Sequence, residues 1–180
     1  MRGDPIFIAE WLVKEYETHN PIDIAKARGR IVTPRNYIKQ RGMSHYCLGL
    51  YFIEFNSNLS EPGQIASTAH ELGHTEIHGD LLKKLGDVGL KQGEYFDLTD
   101  PTEKEANIFT AHLIVDKILL KDLLYDSRSI VDCAKILYTY VPFIKIVAQD
   151  MQKKGLISKY IDLYVDPRFM SKLDDDFFFE

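Results

Sequence analysis

The run His70-Glu71-Leu72-Gly73-His74 constrains this chain more than any other stretch. On a helix, two histidines four positions apart share one face and can direct two imidazole nitrogens at a single point. The flanks supply that helix. Ser60 is a candidate N-cap with Pro62 in the first turn, and Gly79 follows His78 as a stop, so the pattern predicts a helix over 61–78. At about 100° per residue, Ile65, Ala69, Leu72 and Ile77 form one flank, and His70, His74 and then Glu71 occupy the next. Such a helix buries one side against a core and leaves the adjoining side for chemistry.

The pattern H-E-x-x-H is that of zinc peptidases, with the histidines as ligands and the glutamate as the base that takes a proton from the attacking water. A catalytic zinc has three protein ligands and an open position. A third histidine six positions after His74 would be the metzincin arrangement, but Asp80 stands there. His78 lies one turn beyond His74, too far along the helix to close on the same ion, and reads as a structural residue or as a support for the ligands. The remaining source is a carboxylate from a later helix. Residues 102–114 offer Glu103 and Glu105, about 200° apart on a helix, so that only one can face the metal. Glu105 shares its side with Ala106, Phe109 and Leu113, the positions expected to pack on the first helix, and is the candidate third ligand. Glu103 fits an exposed glutamate at the positive end of a helix. His112, seven residues after Glu105, is either a donor to the oxyanion or a structural histidine.

The rest of the chain frames this pair of helices. Helices are expected over 5–18 and over 21–29, the second stopped by Gly29, and a strand over 30–33. Residues 46–56 read as one or two strands, with Gly49 marking a bulge or a close approach, and they serve either as an edge for an extended substrate or as a plain core strand. Residues 79–101 read as a long, partly irregular excursion, 102–124 and 128–138 as helices, and Pro142 opens a last helix that ends near Gly155. The expected fold class is α+β, mostly helical, with a small mixed or antiparallel sheet and a helical C-terminal part. The expected organisation is a core over 1–125, a helix-turn-helix-like extension over 126–156 packed on it, and a tail over 157–180.

Charge and composition exclude several roles. With 22 Lys+Arg against 27 Asp+Glu the net charge is -5, against a chain built to coat nucleic acid or anionic lipid. Even in 128–154, five basic residues against two acidic ones suit packing or protein docking better than DNA reading. The apolar run 47–53 stops at Glu54, short of a membrane span, and Asp4-Pro5 interrupts any leader-like start. Cys47 and Cys133 read as buried apolar residues with no disulfide, as in a reducing cytoplasm.

With His-Glu-Leu-Gly-His at 70–74, Glu105-Ala106-Asn107 and Phe109 after it, the lead-in Asn56-Ser57-Asn58-Leu59-Ser60, Ala69, and the trailing His78-Gly79-Asp80-Leu81, the sequence resembles the ImmA/IrrE family of metallopeptidases over about residues 5–155. The resemblance implies a zincin-like fold, Zn2+ held by His70, His74 and Glu105, and Glu71 as the catalytic residue. It further implies a cytoplasmic zinc endopeptidase of prophages or other mobile elements that cleaves a helix-turn-helix repressor, with that protein, and neither nucleic acid nor membrane, as its partner. The chain departs from the family where a proline often follows the E-A-N helix; Asp116 stands there, which bears on the end of that helix. Its length is expected to leave no room for the sensor domain of larger members. The competing reading is a non-catalytic antirepressor that binds its partner stoichiometrically around a structural metal.

Overall fold

Three helices begin where a capping side chain and a proline coincide. In the computed structural model, which describes residues 3–92 and 100–164, α1 (Pro5–Tyr16) starts behind Asp4, α2 (Pro21–Ala27) behind Asn20 and α3 (Glu61–Ile77) behind Ser60. Each cap accepts a backbone N–H of the first turn, from Ile6, Ile22 and Gly63 respectively. The proline in each first turn lacks only an N–H that would have had no helical partner. Gly29, at φ 71, turns the chain out of α2 in the left-handed conformation.

Four strands, β1 (Ile31–Arg35), β2 (Gly42–Cys47), β3 (Leu50–Asn56) and β4 (Leu90–Gln92), form a mixed sheet in the order β1-β3-β2-β4. β1 runs parallel to β3 with Ile31 opposite Phe52, and β2 is antiparallel to both neighbours, with Gly42 opposite Phe55 and Gln92. The stretch 46–56 is therefore the end of one strand, a tight turn and a second strand. Leu48 and Gly49 both have positive φ, 50 and 84, so Gly49 serves the turn of a hairpin and no bulge. From Phe52 to Phe55, β3 is paired on both sides and has no open edge for a substrate strand.

The excursion after α3 is more regular than its composition suggests. It holds α4 (Gly79–Leu85), a 3-10 turn (Gly86–Val88) and β4 before residues 93–99, which lie outside the described residues. The single helix expected over 102–124 is two, α5 (Pro101–Ile114) and α6 (Lys117–Tyr125). Asp116 is extended at ψ 109 and its carboxylate accepts the N–H groups of Ile118 and Leu119, so an aspartate that helical periodicity could absorb acts as a cap instead. α7 (Ile130–Ile136) and α8 (Val141–Lys153) follow. The acidic-aromatic tail, 173–180, lies outside the described residues.

The chain divides into two compact units, Met1–Ile114 and Val115–Glu180. In the first, Ala9 and Leu12 of α1, Ile24 and Ala25 of α2, Ile53 of β3, Ala69 and Leu72 of α3 and Phe109 and Leu113 of α5 are fully buried together. This core clamps α3 between the sheet and α5. In the second unit Leu120, Ile130, Phe143, Ile144 and Val147 are buried. Cys47 and Cys133 are both free thiols, and burial pushes that of Cys133 up to about 11. The fold is α+β, as the pattern of elements predicts.

Candidate metal centre

Two close approaches place α3. A Cβ on Gly73 would stand 2.9 Å from Cδ1 of Phe109 and 3.5 Å from Cα of Ala106, so the missing side chain is what lets α5 lie this near. On the other side a Cβ on Gly42 of β2 would meet Ser67 Oγ at 2.5 Å and Glu71 Cγ at 3.0 Å. The helix that carries the histidines is thus held against backbone on both flanks.

His70 and His74 are buried, and their Nε2 atoms lie 3.1 Å apart. Glu103, in the first turn of α5, brings Oε2 to 3.0 Å from His70 Nε2 and Oε1 to 3.2 Å from His74 Nε2. Donor atoms at the corners of a tetrahedron about 2.0–2.1 Å from an ion stand about 3.3 Å from one another. Two imidazole nitrogens and one carboxylate at these spacings fit a divalent metal such as zinc and could hold it, with a fourth corner left over. Burial lowers the pKa of His74 to about 4 despite the neighbouring Glu103, so this imidazole is neutral at pH 7 and its lone pair is available. Burial would raise Glu103, but its polar contacts with the rings of His70 and His74 outweigh it and hold the carboxylate well below its usual range.

The outer nitrogens of both rings are also engaged. Asn107 Oδ1 lies 3.2 Å from His70 Nδ1, His78 Nδ1 lies 3.1 Å from His74 Nδ1, and Glu105 Oε2 lies 2.9 Å from His78 Nε2. Glu71 is fully buried between α3 and β2. Among the described residues neither of its oxygens finds a hydrogen bond of regular geometry, although the Ser44 hydroxyl is near enough to oppose the rise in its pKa. Burial, reinforced by the charge of Glu103, drives the Glu71 pKa well above the carboxylate range.

The structure places the two glutamates of α5 differently from the expectation. Glu105 does not stand opposite His70 and His74; Glu103 does, and Glu105 pairs with His78. The contact with α3 is centred on Ala106, about which Glu103 and Asn107 lie roughly 60° and 100° to one side and Glu105 about 100° to the other. Counting in fours from Glu105 through Phe109 to Leu113 follows the apolar border of the helix, whereas the histidines meet its polar border. That border was visible as Glu103, Asn107 and Thr110 at helical spacing, and it is the signal that would have found both Glu103 and Asn107. His112 is not in the site: its Nδ1 lies 3.9 Å from Glu10 of α1. His19 bonds the Leu113 carbonyl and His45 stacks on Phe52, so neither joins the centre.

No solved structure matches this chain. The chain is 30% identical over 111 residues to the uncharacterized immunity region protein 2 of Bacillus phage phi105, a match that covers 58% of this chain and 63% of that relative's length. Residues 30–137, which contain α3 and α5, match the model of the Peptidase M78 family, described as the IrrE N-terminal-like domain. The resemblance read from the two motif blocks is thereby borne out, and with more than half of its length matched the chain belongs to the Peptidase M78 family.

Proposed function

We propose that this protein is a zinc-dependent endopeptidase that cleaves a helix-turn-helix repressor in the cytoplasm and so relieves repression of a phage or other mobile element. The observation that carries the reading is the convergence of His70 Nε2, His74 Nε2 and the Glu103 carboxylate beside the buried Glu71. Membership in a metallopeptidase family and the likeness to a phage immunity region protein support it. Among the described residues no helix is long and apolar enough to cross a membrane. A net charge of -5 complements a partner whose DNA-binding surface is basic.

In this reading His70, His74 and Glu103 hold the ion. Once bound, it supplies Lewis acidity, polarising the scissile carbonyl and lowering the pKa of the attacking water. The charge of a bound cation would favour the carboxylate form of Glu71, which takes the proton of that water and passes it to the leaving amine. Its burial serves the second step, because a carboxyl group held in a dry site keeps a proton long enough to deliver it. Asn107 steadies the ring of His70 through its Nδ1.

The test is Glu71→Gln in the full chain, mixed or co-expressed with candidate helix-turn-helix repressor proteins. The expected result is an intact repressor, lost derepression and unchanged zinc content. If the variant relieves repression as well as wild type while the repressor stays full length, the stoichiometric antirepressor is the correct reading.

A further inference from the structure

His74 is held from behind by two residues that the proposed chemistry does not use. His78, 4% exposed at the C-cap of α3, sets its Nδ1 3.1 Å from Nδ1 of His74, and Glu105 sets Oε2 2.9 Å from the far nitrogen of His78. We infer that Glu105 and His78 are positioning residues that set the tautomer of His74 and thereby the affinity of the centre for a divalent cation; the inference rests on the reading of His70, His74 and Glu103 as ligands.

The argument follows from proton counting. A neutral imidazole carries one N–H and one lone pair. For His74 to offer Nε2 to an ion, its proton must sit on Nδ1, and the acceptor facing that proton is His78 Nδ1. His78 must then carry its own proton on Nε2, where the Glu105 carboxylate accepts it. One carboxylate thus orders two imidazoles in succession. Without it His78 can place its proton on Nδ1, and the two Nδ1 atoms then hydrogen-bond in the opposite sense, with His74 protonated on Nε2 and lost as a ligand. His70 is ordered in parallel by the side-chain carbonyl of Asn107, so both Nε2 atoms are bare toward the same point. The separation of roles explains why two glutamates two residues apart both face α3: one completes the centre and the other orients a ring of it.

The experiment is a competition titration of the full chain with Zn2+ alone against a chelating dye, comparing wild type with His78→Phe, Glu105→Ala, Glu105→Gln and Glu103→Ala. His78→Phe and Glu105→Ala should weaken zinc binding about 10–100-fold. Glu105→Gln should stay within about fivefold of wild type, because an amide carbonyl still accepts the His78 N–H. Nitrogen NMR of the zinc-loaded protein should show His78 with its proton on Nε2. Should His78→Phe fail to fold, Glu105→Ala carries the comparison, since Glu105 lies at the part-exposed end of the chain of bonds. The relay is overturned if both truncations bind zinc as tightly as wild type, if Glu105→Gln loses as much as Glu105→Ala, or if His78 carries its proton on Nδ1. A wild-type chain that takes up no zinc overturns the metal reading, and the relay with it.

Discussion

Glu103 reaches both histidines of the centre at once, with one carboxylate oxygen 3.0 Å from His70 Nε2 and the other 3.2 Å from His74 Nε2. In the proposed reading its removal takes away one of three donors and the only negative charge among them. Glu103→Ala should therefore weaken zinc binding at least 100-fold, by the order of magnitude of losing a direct ligand compared with a supporting residue. Zinc titration checks this, and an equal loss in Glu105→Ala with none in Glu103→Ala would reverse the assignment.

Gly73 is expected to resist substitution although alanine is the better helix former. The added Cβ would sit 2.9 Å from the buried ring of Phe109, which is fixed in the core. Overpacking of this kind costs about 1–3 kcal/mol, against a helix-propensity gain of about 1 kcal/mol. Gly73→Ala should lower stability in urea by up to about 2 kcal/mol and weaken zinc binding as α5 moves away from α3. Wild-type values for both would show that the close approach is not needed.

Alkaline pH should expose the cluster on the other face of the sheet. The Tyr37 hydroxyl donates to Glu54 Oε2, and the Arg35 Nε–H donates to Oε1 of the same buried carboxylate at 3.0 Å. Burial, then the bond to Glu54, raises the Tyr37 pKa above its ordinary value of 10.0. Between those two values the unfolded chain has lost this proton and the folded chain keeps it. The stabilisation is therefore complete below pH 10 and is lost as pH rises through the folded-state value. Tyr37→Phe should cost about 1 kcal/mol near pH 7 and show a shallower decline than wild type above pH 10, read from urea unfolding across that range.

In the second unit the start of α7 rests on a reciprocal cap, in which the Ser129 hydroxyl accepts from the Asp132 N–H and the Asp132 carboxylate accepts from the Ser129 N–H. Ser129→Ala should destabilise by about 1 kcal/mol, with Ser129→Asp recovering most of it. Thermal unfolding of the two variants measures the difference.

Features whose partners lie within a turn of each other in sequence were legible. Asp4, Asn20 and Ser60 each bond an N–H two or three residues away, and so announce their helices without help from the rest of the chain. Asp116 shows the limit of such signals, because the same residue suits a cap or a helix interior, and only the extended backbone there decides. The parallel pairing of β1 with β3 was not legible at all. β1 must bypass β2, its neighbour in sequence, and no local pattern encodes that choice.

By itself the sequence determined the helix of His70 and His74, the place of Glu71 between them and the family to which the chain belongs, because spacing along a helix is a local property. Which glutamate meets those histidines was decided by the tertiary structure. The rotation of α5 about its own axis is set where Gly73 admits Phe109 and Ala106, and that contact turns Glu103 toward the centre and Glu105 toward His78. Helical periodicity relates the two glutamates to each other; only packing relates either of them to the histidines.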